Sequence, residues 1–274
     1  MDTKRISDRW RIPDALWERI EPLLPRIRRS CKGGRPPVPF RQVMDGIFYV
    51  LRTGCQWKAV PPEFGSGSTL HRRFQAFVKR GVFRKLWQVG LMEYDELRGI
   101  QWDWQSIDGA MTKAPLGGKN TGPNPTDRAK SGTKRSLLTD GDGVPLGLAV
   151  SGANTHDKWL VQPTLESIPV ERPEPTSRRK QNMCLDKGYD YADVRELVAD
   201  WGYTGHIKSR GQEEAERKAI PGYRARRWVV ERTHSWFNRF RRLLIRWEKK
   251  SANYVAFLHF ACGWMTFRAA GVLG

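Results

Sequence analysis

Acidic residues are scarce in this chain of 274 residues: 29 Asp and Glu stand against 48 Lys and Arg, giving a formal charge of +19. Self-repulsion of that size is a standing cost and implies an anionic partner. Cysteine is scarce as well. Cys31, Cys55, Cys184 and Cys262 make no CxxC pair and no other zinc spacing, which argues against a zinc finger and against a disulfide framework. Long apolar runs are missing too, because the only candidate, residues 254–267, is too short to span a bilayer and contains His259. It reads as a buried helix. The opening MDTKRISDRW lacks the apolar stretch of a secretory signal, so a reduced, cytoplasmic protein is the expectation.

What charge there is comes in stripes. Residues 26–41 carry six Lys/Arg and no acid, residues 70–85 carry six more and no acid, and residues 113–135 carry six against Asp127 alone. Such stripes are the electrostatic footprint of nucleic-acid binding. A nucleoid-associated protein bound to double-stranded DNA follows from them.

By length the chain is one large domain or two ordinary ones, and its texture changes near residue 100. The first part, residues 1–99, reads as helical and DNA-binding. Leu16, Ile20 and Leu23 form one short amphipathic segment that stops at Pro25, and Val43, Ile47, Val50 and Leu51 form another that ends at Gly54. Ser68 is placed to cap a third helix with Leu70, Phe74, Phe77 and Val78 on one side. His71, Arg72, Arg73, Lys79 and Arg80 lie on the other. This order suits a helix-turn-helix module with residues 68–80 in the major groove, or a small bundle with a solvated basic face. The segment KGGRPP exposes Arg35 on an extended chain, as a minor-groove arm or as a plain connector.

Residues 100–274 read as mixed. A strand is expected over residues 105–110, then a hairpin from residues 135–139 to 144–150 turning at Asp140-Gly141-Asp142-Gly143. A helix over about 156–167, capped by Asn154 or Thr155, precedes a strand at 182–186, a helix near 191–201 and a strand at 203–207. The fold class is therefore α/β, a mixed sheet covered by helices. Residues 224–250, RARRWVVERTHSWFNRFRRLLIRWEKK, hold ten Lys/Arg and only two acids, Glu231 and Glu248. Read as one helix, Val229, Thr233, Trp236, Phe240, Leu243 and Trp247 share a packed face, while Arg227, Glu231, Ser235, Asn238 and Arg242 share another.

A lone acid on a basic helix can simply pair with Arg227 one turn earlier. Two further carboxylates shift the balance, because Asp108 and Asp186 each close a strand. Neighbouring strand ends with a packed helix can gather three carboxylates, and such a gathering favours hard cations over mutual repulsion. Two Mg²⁺ ions, with Mn²⁺ as a substitute, suit phosphodiester chemistry in a basic chain.

These residues also carry a resemblance. SIDGA at Asp108, KAPLGGKNTGPNPTDRAKSGTKRSLLTDGDGVPLGLAVSGANTHD over residues 113–157, CLDKGYD at Asp186 and RWVVERTHSWFNRFRRL at Glu231 closely resemble bacterial insertion-sequence transposases of the DDE class, family five. WERIEPLLP, GRPP and FRQVMDGIFYVLRTGCQW resemble the amino-terminal part of that family, so the likeness covers nearly the whole chain. The resemblance implies an RNase H-like catalytic core following an all-helical, helix-turn-helix-type domain. It also implies Asp108, Asp186 and Glu231 as catalytic and metal-binding triad, transposon ends and target as the bound DNA, and at least a homodimer on it. Related enzymes carry a Tyr-Arg-Glu-Lys signature on the last catalytic helix. Arg227 matches its arginine, whereas Asn238 stands where the lysine is expected and Tyr223 is one residue off the tyrosine spacing. Arg239 is the neighbouring candidate for the lysine's phosphate contact.

Phosphate contacts are further expected from Arg241 and Arg242, from Lys187 beside Asp186, and from Lys119, Arg128 and Lys130. The last three lie in the Gly/Pro-rich stretch 115–132, read as a DNA-clamping loop or a disordered excursion. Asp140 and Asp142 are assigned to a turn, Asp157 to a helix start, and His234 to structure.

Overall fold

The computed structural model describes residues 7–26, 36–207, 226 and 228–273. Four helices come first: α1 (Asp14–Ile20), α2 (Phe40–Thr53), α3 (Gly67–Lys79) and α4 (Val82–Arg98). Their apolar faces close on one another through Leu16, Ile47, Leu51, Leu70, Phe74 and Leu86, all essentially without solvent contact. Ser66, two residues earlier than the expected Ser68, caps α3 by accepting from the Thr69 amide at 3.3 Å. The shift has a steric cause. Gly67 lies so close to the Trp57 carbonyl that a Cβ there would stand 1.9 Å from its oxygen, so the first helical position must be glycine. Residues 54–66 between α2 and α3 fold through two short 3-10 turns, Trp57–Ala59 and Pro62–Phe64, instead of one tight turn.

The sheet follows: β1 (Trp104–Lys113), β2 (Gly122–Pro123), β3 (Ser131–Thr139) and β4 (Pro145–Gly152), then α5 (Val161–Glu166), β5 (Gln181–Leu185), α6 (Ala192–Asp200) and β6 (Tyr203–Ile207). The spatial order is β4-β3-β1-β5-β6, with β2 pairing the start of β3. β3 is antiparallel to β1 and β4, whereas β1, β5 and β6 run parallel. Two more helices complete the described chain, α7 (Trp228–Phe237) and α8 (Ser251–Ala269). Successive residues of β3 show how the helices flank the sheet. Arg135 turns to α7, and Ser136 accepts a hydrogen bond from Thr164 of α5 on the opposite face. This is the expected mixed sheet covered by helices.

The apolar stretch 254–267 is indeed a buried helix, and α8 joins the two halves of the molecule. It runs along α4 at close range, because Gly90 and Gly263 stand at the contact. A Cβ on Gly263 would meet Leu86 at 3.3 Å, and one on Gly90 would meet the Phe267 ring at 3.2 Å. Phe257 stacks on Phe74 at 4.5 Å, and Phe260 contacts Phe48 and Phe83. The Trp87 indole N–H donates to the Pro145 carbonyl at 3.0 Å, so the core is continuous across residue 100.

Two helices differ from expectation. The segment from His156 begins as a 3-10 turn, Asp157–Leu160, and His156 itself, not Asn154 or Thr155, accepts from the Lys158 amide. The basic helix ends at Phe237, well short of residue 250. Beyond it, i→i+3 bonds from Asn238, Arg239 and Phe240 tighten the chain, which then turns so that Ile245 bridges Lys113 and the Arg246 amide donates to the Lys113 carbonyl at 2.8 Å. Sheet contact at β1 overrides the helical period. Trp247 consequently lies 41% exposed, off the packed face, while Arg242 is buried.

The hairpin turns where expected, and Asp140 organises it. Its Oδ1 accepts from the amides of Asp142 and Val144, and its Oδ2 accepts from the Gln101 amide and the Tyr94 hydroxyl. Burial, above all, raises this carboxyl to about 6 from its ordinary 3.8, with the Asp142 charge adding to it. The folded state thus holds the proton more tightly than the unfolded chain does. Its contribution to stability is present below pH 3.8 and is lost as pH rises through about 6. Asp140→Asn is expected to remove a fall in unfolding free energy on the order of 3 kcal/mol across that window. Denaturant titrations of both proteins at pH 4 and pH 7 check this, and parallel pH profiles would refute it.

Candidate active site

Register places the two aspartates. Trp104 faces Asn182 and Ser106 faces Cys184 in the parallel pair β1–β5, and that register, carried two residues past its last pair, leads to Asp108 and Asp186. Adjacent strands lie roughly 4.8 Å apart. Side chains alternate along a strand, so Ser106 and Asp108 share a face with Cys184 and Asp186. That face is the one α7 covers, since Ala110 and its β3 partner Arg135 lie on it. Glu231 is therefore carried on the helix that lies against the face of β1 and β3 to which Asp108 belongs.

Two tethers hold α7 there. The Ser106 hydroxyl donates to the Arg226 carbonyl at 3.3 Å, just before the helix begins. Three residues past Glu231, the buried His234 contacts the Asp108 carbonyl through Nε2 at 3.3 Å, while Arg135 donates from Nε to Nδ1 at 3.3 Å. An arginine has no lone pair to offer, so Nδ1 must be the acceptor and Nε2 must carry the proton. Burial, and then the Arg135 charge, push His234 down to about 3, so the ring stays neutral. The same arginine reaches the His234 carbonyl and the Asn238 side chain, both at 3.4 Å. His234 is thus structural in the sense expected, but the structure it maintains is the site itself.

Other groups meet the aspartates from below. Asp157, read from the sequence as a helix start, also lies against the backbone of Gly109, where a Cβ would be 2.2 Å from its Oδ1. Gly109 points to the face opposite Asp108, so Asp157 approaches from the α5 side of the sheet. Its Oδ2 accepts from Lys134 at 3.0 Å, and its buried Oδ1 has no hydrogen-bond partner. The Tyr189 hydroxyl, also buried, lacks a partner as well. Burial first, then the charges of Asp157, Asp108 and Asp186, push its ionisation well above the ordinary range. Those causes place one neutral hydroxyl among three carboxylates. The sequence signal for Asp157 was the glycine after Asp108, which admits a second carboxylate behind the strand.

The oxygen-only donor set suits a hard divalent cation, and the orphaned Oδ1 and hydroxyl beside it fit a centre built for further ligands. Among the described residues, no three His, Cys, Asp or Glu side chains are grouped tightly enough to hold a metal ion as they stand. Asp186 meanwhile caps the turn after β5, accepting from the Gly188 amide at 2.6 Å.

The expected phosphate contacts are distributed unevenly. Lys187, next to Asp186, is exposed, as are Arg239 and Arg241 beyond α7, Lys119, Arg128 and Lys130 on the loop before β3, and Arg72 on α3. Arg73 lies over Phe40, and the half-buried His71 rests on Trp57. Arg242 is turned inward, its guanidinium bonded twice to Glu248 at 2.7 Å. Arg35, Arg227 and Tyr223 lie outside the described residues. Loop 115–132 is ordered in the structure: Arg246 donates to the carbonyls of Lys119 and Asn120, and Asn124 closes a turn with Thr126 and Ala129.

Comparison with known proteins places residues 12–87 in the family described as "Putative transposase of IS4/5 family" and residues 98–265 in that described as "Transposase DDE domain". The chain is 39% identical over 160 residues to the "Putative transposase for insertion sequence element IS402" of Burkholderia cepacia, covering 56% of this chain and 73% of that protein. It is 36% identical over 118 residues to the "Insertion element IS402 uncharacterized 16.2 kDa protein" of the same organism, covering 42% of this chain and 80% of that one. Among solved structures, the catalytic domain of Mos1 mariner transposase matches 69% of this chain and 92% of its own, at 9% identity and a TM-score of 0.29. None of the described helices is long and apolar enough to cross a membrane.

Proposed function

The chain belongs to the DDE-domain transposases of insertion sequences, and from that premise we propose that it cuts the ends of its element and joins the exposed 3′-hydroxyl to target DNA at a single acidic centre. The observation that supports this reading is the parallel pairing of β1 with β5, whose register, carried two residues past its last pair, leads to Asp108 and Asp186, while α7, which bears Glu231, is held to the Asp108 backbone through His234. These three carboxylates would hold two magnesium ions, or manganese in their place. When bound, the ions supply an activated water or 3′-hydroxyl and stabilisation of the departing oxygen.

The chain's own residues do the rest. His234 and Ser106 fix α7 over the strand ends, so Glu231 approaches on a rigid element. Tyr189 offers a neutral hydroxyl among the acids, and Lys134 balances the charge of Asp157. Lys187 grips phosphate beside Asp186, Arg239 and Arg241 grip phosphates from the chain beyond α7, Lys119, Arg128 and Lys130 grip them from the loop, and Arg72 and Arg73 contact the terminal inverted repeats from α3. Cutting and joining two ends together requires at least two copies of the chain on the DNA.

The test is a joining assay with labelled element ends and a plasmid target, run with Mg²⁺ and with EDTA. Joined products that need the metal are expected. Cleavage without joining would reduce the reading to a nuclease. Tight binding without either, even with a pre-cut end bearing a free 3′-hydroxyl, would make the chain a DNA-binding regulator.

A further inference from the structure

Away from the acidic centre, three arginines converge on an aromatic floor. Arg52 of α2, Arg239 just past α7 and Arg268 in the last turn of α8 line a cleft of about 300 Å³ with Trp236, Phe240 and Trp264. The Arg52 guanidinium lies 5.3 Å from the centre of the Phe240 ring and 5.9 Å from that of Trp264. Trp264 is braced from behind by Phe48, stacked at 4.7 Å. Among the described residues, none of the three arginines is paired with a carboxylate. Their mutual repulsion is felt. Burial first, then the charges of Arg268 and Arg239, lower the Arg52 guanidinium from its ordinary range.

Bland explanations cover part of this. A cation in the last turn of α8 favours the helix dipole, which accounts for Arg268. Arg52 ends α2 in the same way, but it does so half-buried in the cleft beside two like charges, which a dipole contact on the surface does not require. Unneutralised cations gathered in a pocket make an anion site, and arginine is suited to planar, forked recognition of phosphate. The aromatic floor adds a second requirement, a flat ring able to stack. A volume near the lower end of ligand pockets admits a single unit and excludes a duplex.

We propose that this cleft binds one nucleotide unit, its base against Trp236 and Trp264 and its phosphate among Arg52, Arg239 and Arg268. This rests on the DNA-handling reading given above. Trp236 lies five residues past Glu231 on α7, about 7.5 Å along the axis and roughly 140° around it. The unit held there is accordingly not the one being cut but a neighbour, unpaired from its complement. A free nucleotide offers the same chemistry, so the test separates the two sources.

The probe is a short single-stranded oligonucleotide carrying one 2-aminopurine, whose fluorescence falls on stacking, titrated into the full-length protein in EDTA. Quenching by the wild type is expected. Arg268→Gln and Arg52→Gln should each weaken binding by about tenfold, while the exposed Arg84→Gln, remote from the cleft, should change it little. Trp264→Leu should abolish quenching; Arg268, on the surface, tests the site even if the tryptophan variant misfolds. Deoxyadenosine 5′-monophosphate should compete where inorganic phosphate at the same concentration does not. Competition as strong as that of the oligonucleotide would open the site to free nucleotides, and weaker competition ties it to a strand; both outcomes keep the assignment. Absent quenching, losses no larger than that of Arg84→Gln, or inorganic phosphate competing as well as the monophosphate would overturn it. Because the readout needs neither metal nor cleavage, an inactive protein that still quenches leaves this site standing. An active protein that does not quench removes only this site.

Discussion

Asp186→Asn should lower metal-dependent cleavage and joining by about 10³-fold or more. The substitution is close to isosteric, and its amide oxygen can still accept from the Gly188 amide that Asp186 caps, so the turn after β5 should survive. What disappears is a negative charge at the end of β5, whose neighbour β1 carries Asp108 midway along its length. Asp108→Asn and Glu231→Gln should behave alike if the three carboxylates share the metal ions as proposed. End binding should persist in all three variants. Removing an acid from a chain of formal charge +19 cannot weaken its hold on a polyanion through electrostatics. His234→Ala should give a smaller loss, roughly 10²-fold, because it loosens the placement of α7 without removing a charge. Assays of pre-cut ends in Mg²⁺, with binding measured in parallel, separate these outcomes. A variant that keeps full cleavage removes its residue from the centre, and one that loses binding in step with cleavage signals a folding defect.

How much of this was legible depended on which force placed each residue. Asp186 could be read because it closes an apolar strand, and β5 does end just before it; Asp108 does not close its strand as expected, because pairing with β3 carries β1 on to Lys113 and leaves Asp108 midway along it. Glu231 could be read because it is alone among cations. Their alignment could not, since it is a property of the parallel pairing of β1 with β5, between segments far apart in sequence. Asp157 was hidden for another reason. A polar residue opening a turn has a sufficient local explanation, and only the approach of that turn to Gly109 shows its second position. The end of α7 was hidden by periodicity itself. Phe240 and Leu243 keep the helical spacing of the residues before them, yet they are buried from a chain that has already left the helix to meet Lys113. Charge was the least informative guide to direction. Arg239 and Arg241 face solvent, while Arg242 and Arg246, drawn from the same basic run, point inward.

Arg246 is where that inward turn matters most, and Arg246→Met should destabilise the protein by about 3–5 kcal/mol. The side chain is 1% exposed and meets no carboxylate in its hydrogen bonds. Its forked donors instead satisfy the carbonyls of Glu248 and Asn120, both at 2.9 Å, the carbonyl of Lys119, and the Thr133 hydroxyl at 3.1 Å. A single guanidinium thus ties the loop before β3, β3 itself and the stretch entering α8. Methionine would fill the space but strand those carbonyls, at about 1–3 kcal/mol for each that water cannot reach. Lysine, a point charge without the fork, should restore only part of the loss. The loss should appear as a fall in Tm of roughly 10 °C. It should also appear in function, because the loop anchored by Arg246 carries Lys119, Arg128 and Lys130. DNA affinity should fall even at temperatures where the variant is folded, and its salt dependence should become shallower as phosphate contacts are lost. Thermal denaturation together with binding at two salt concentrations measures both effects. A lower Tm with affinity and salt slope unchanged would show that the loop does not contact DNA, and an unchanged Tm would show that the carbonyls find other donors.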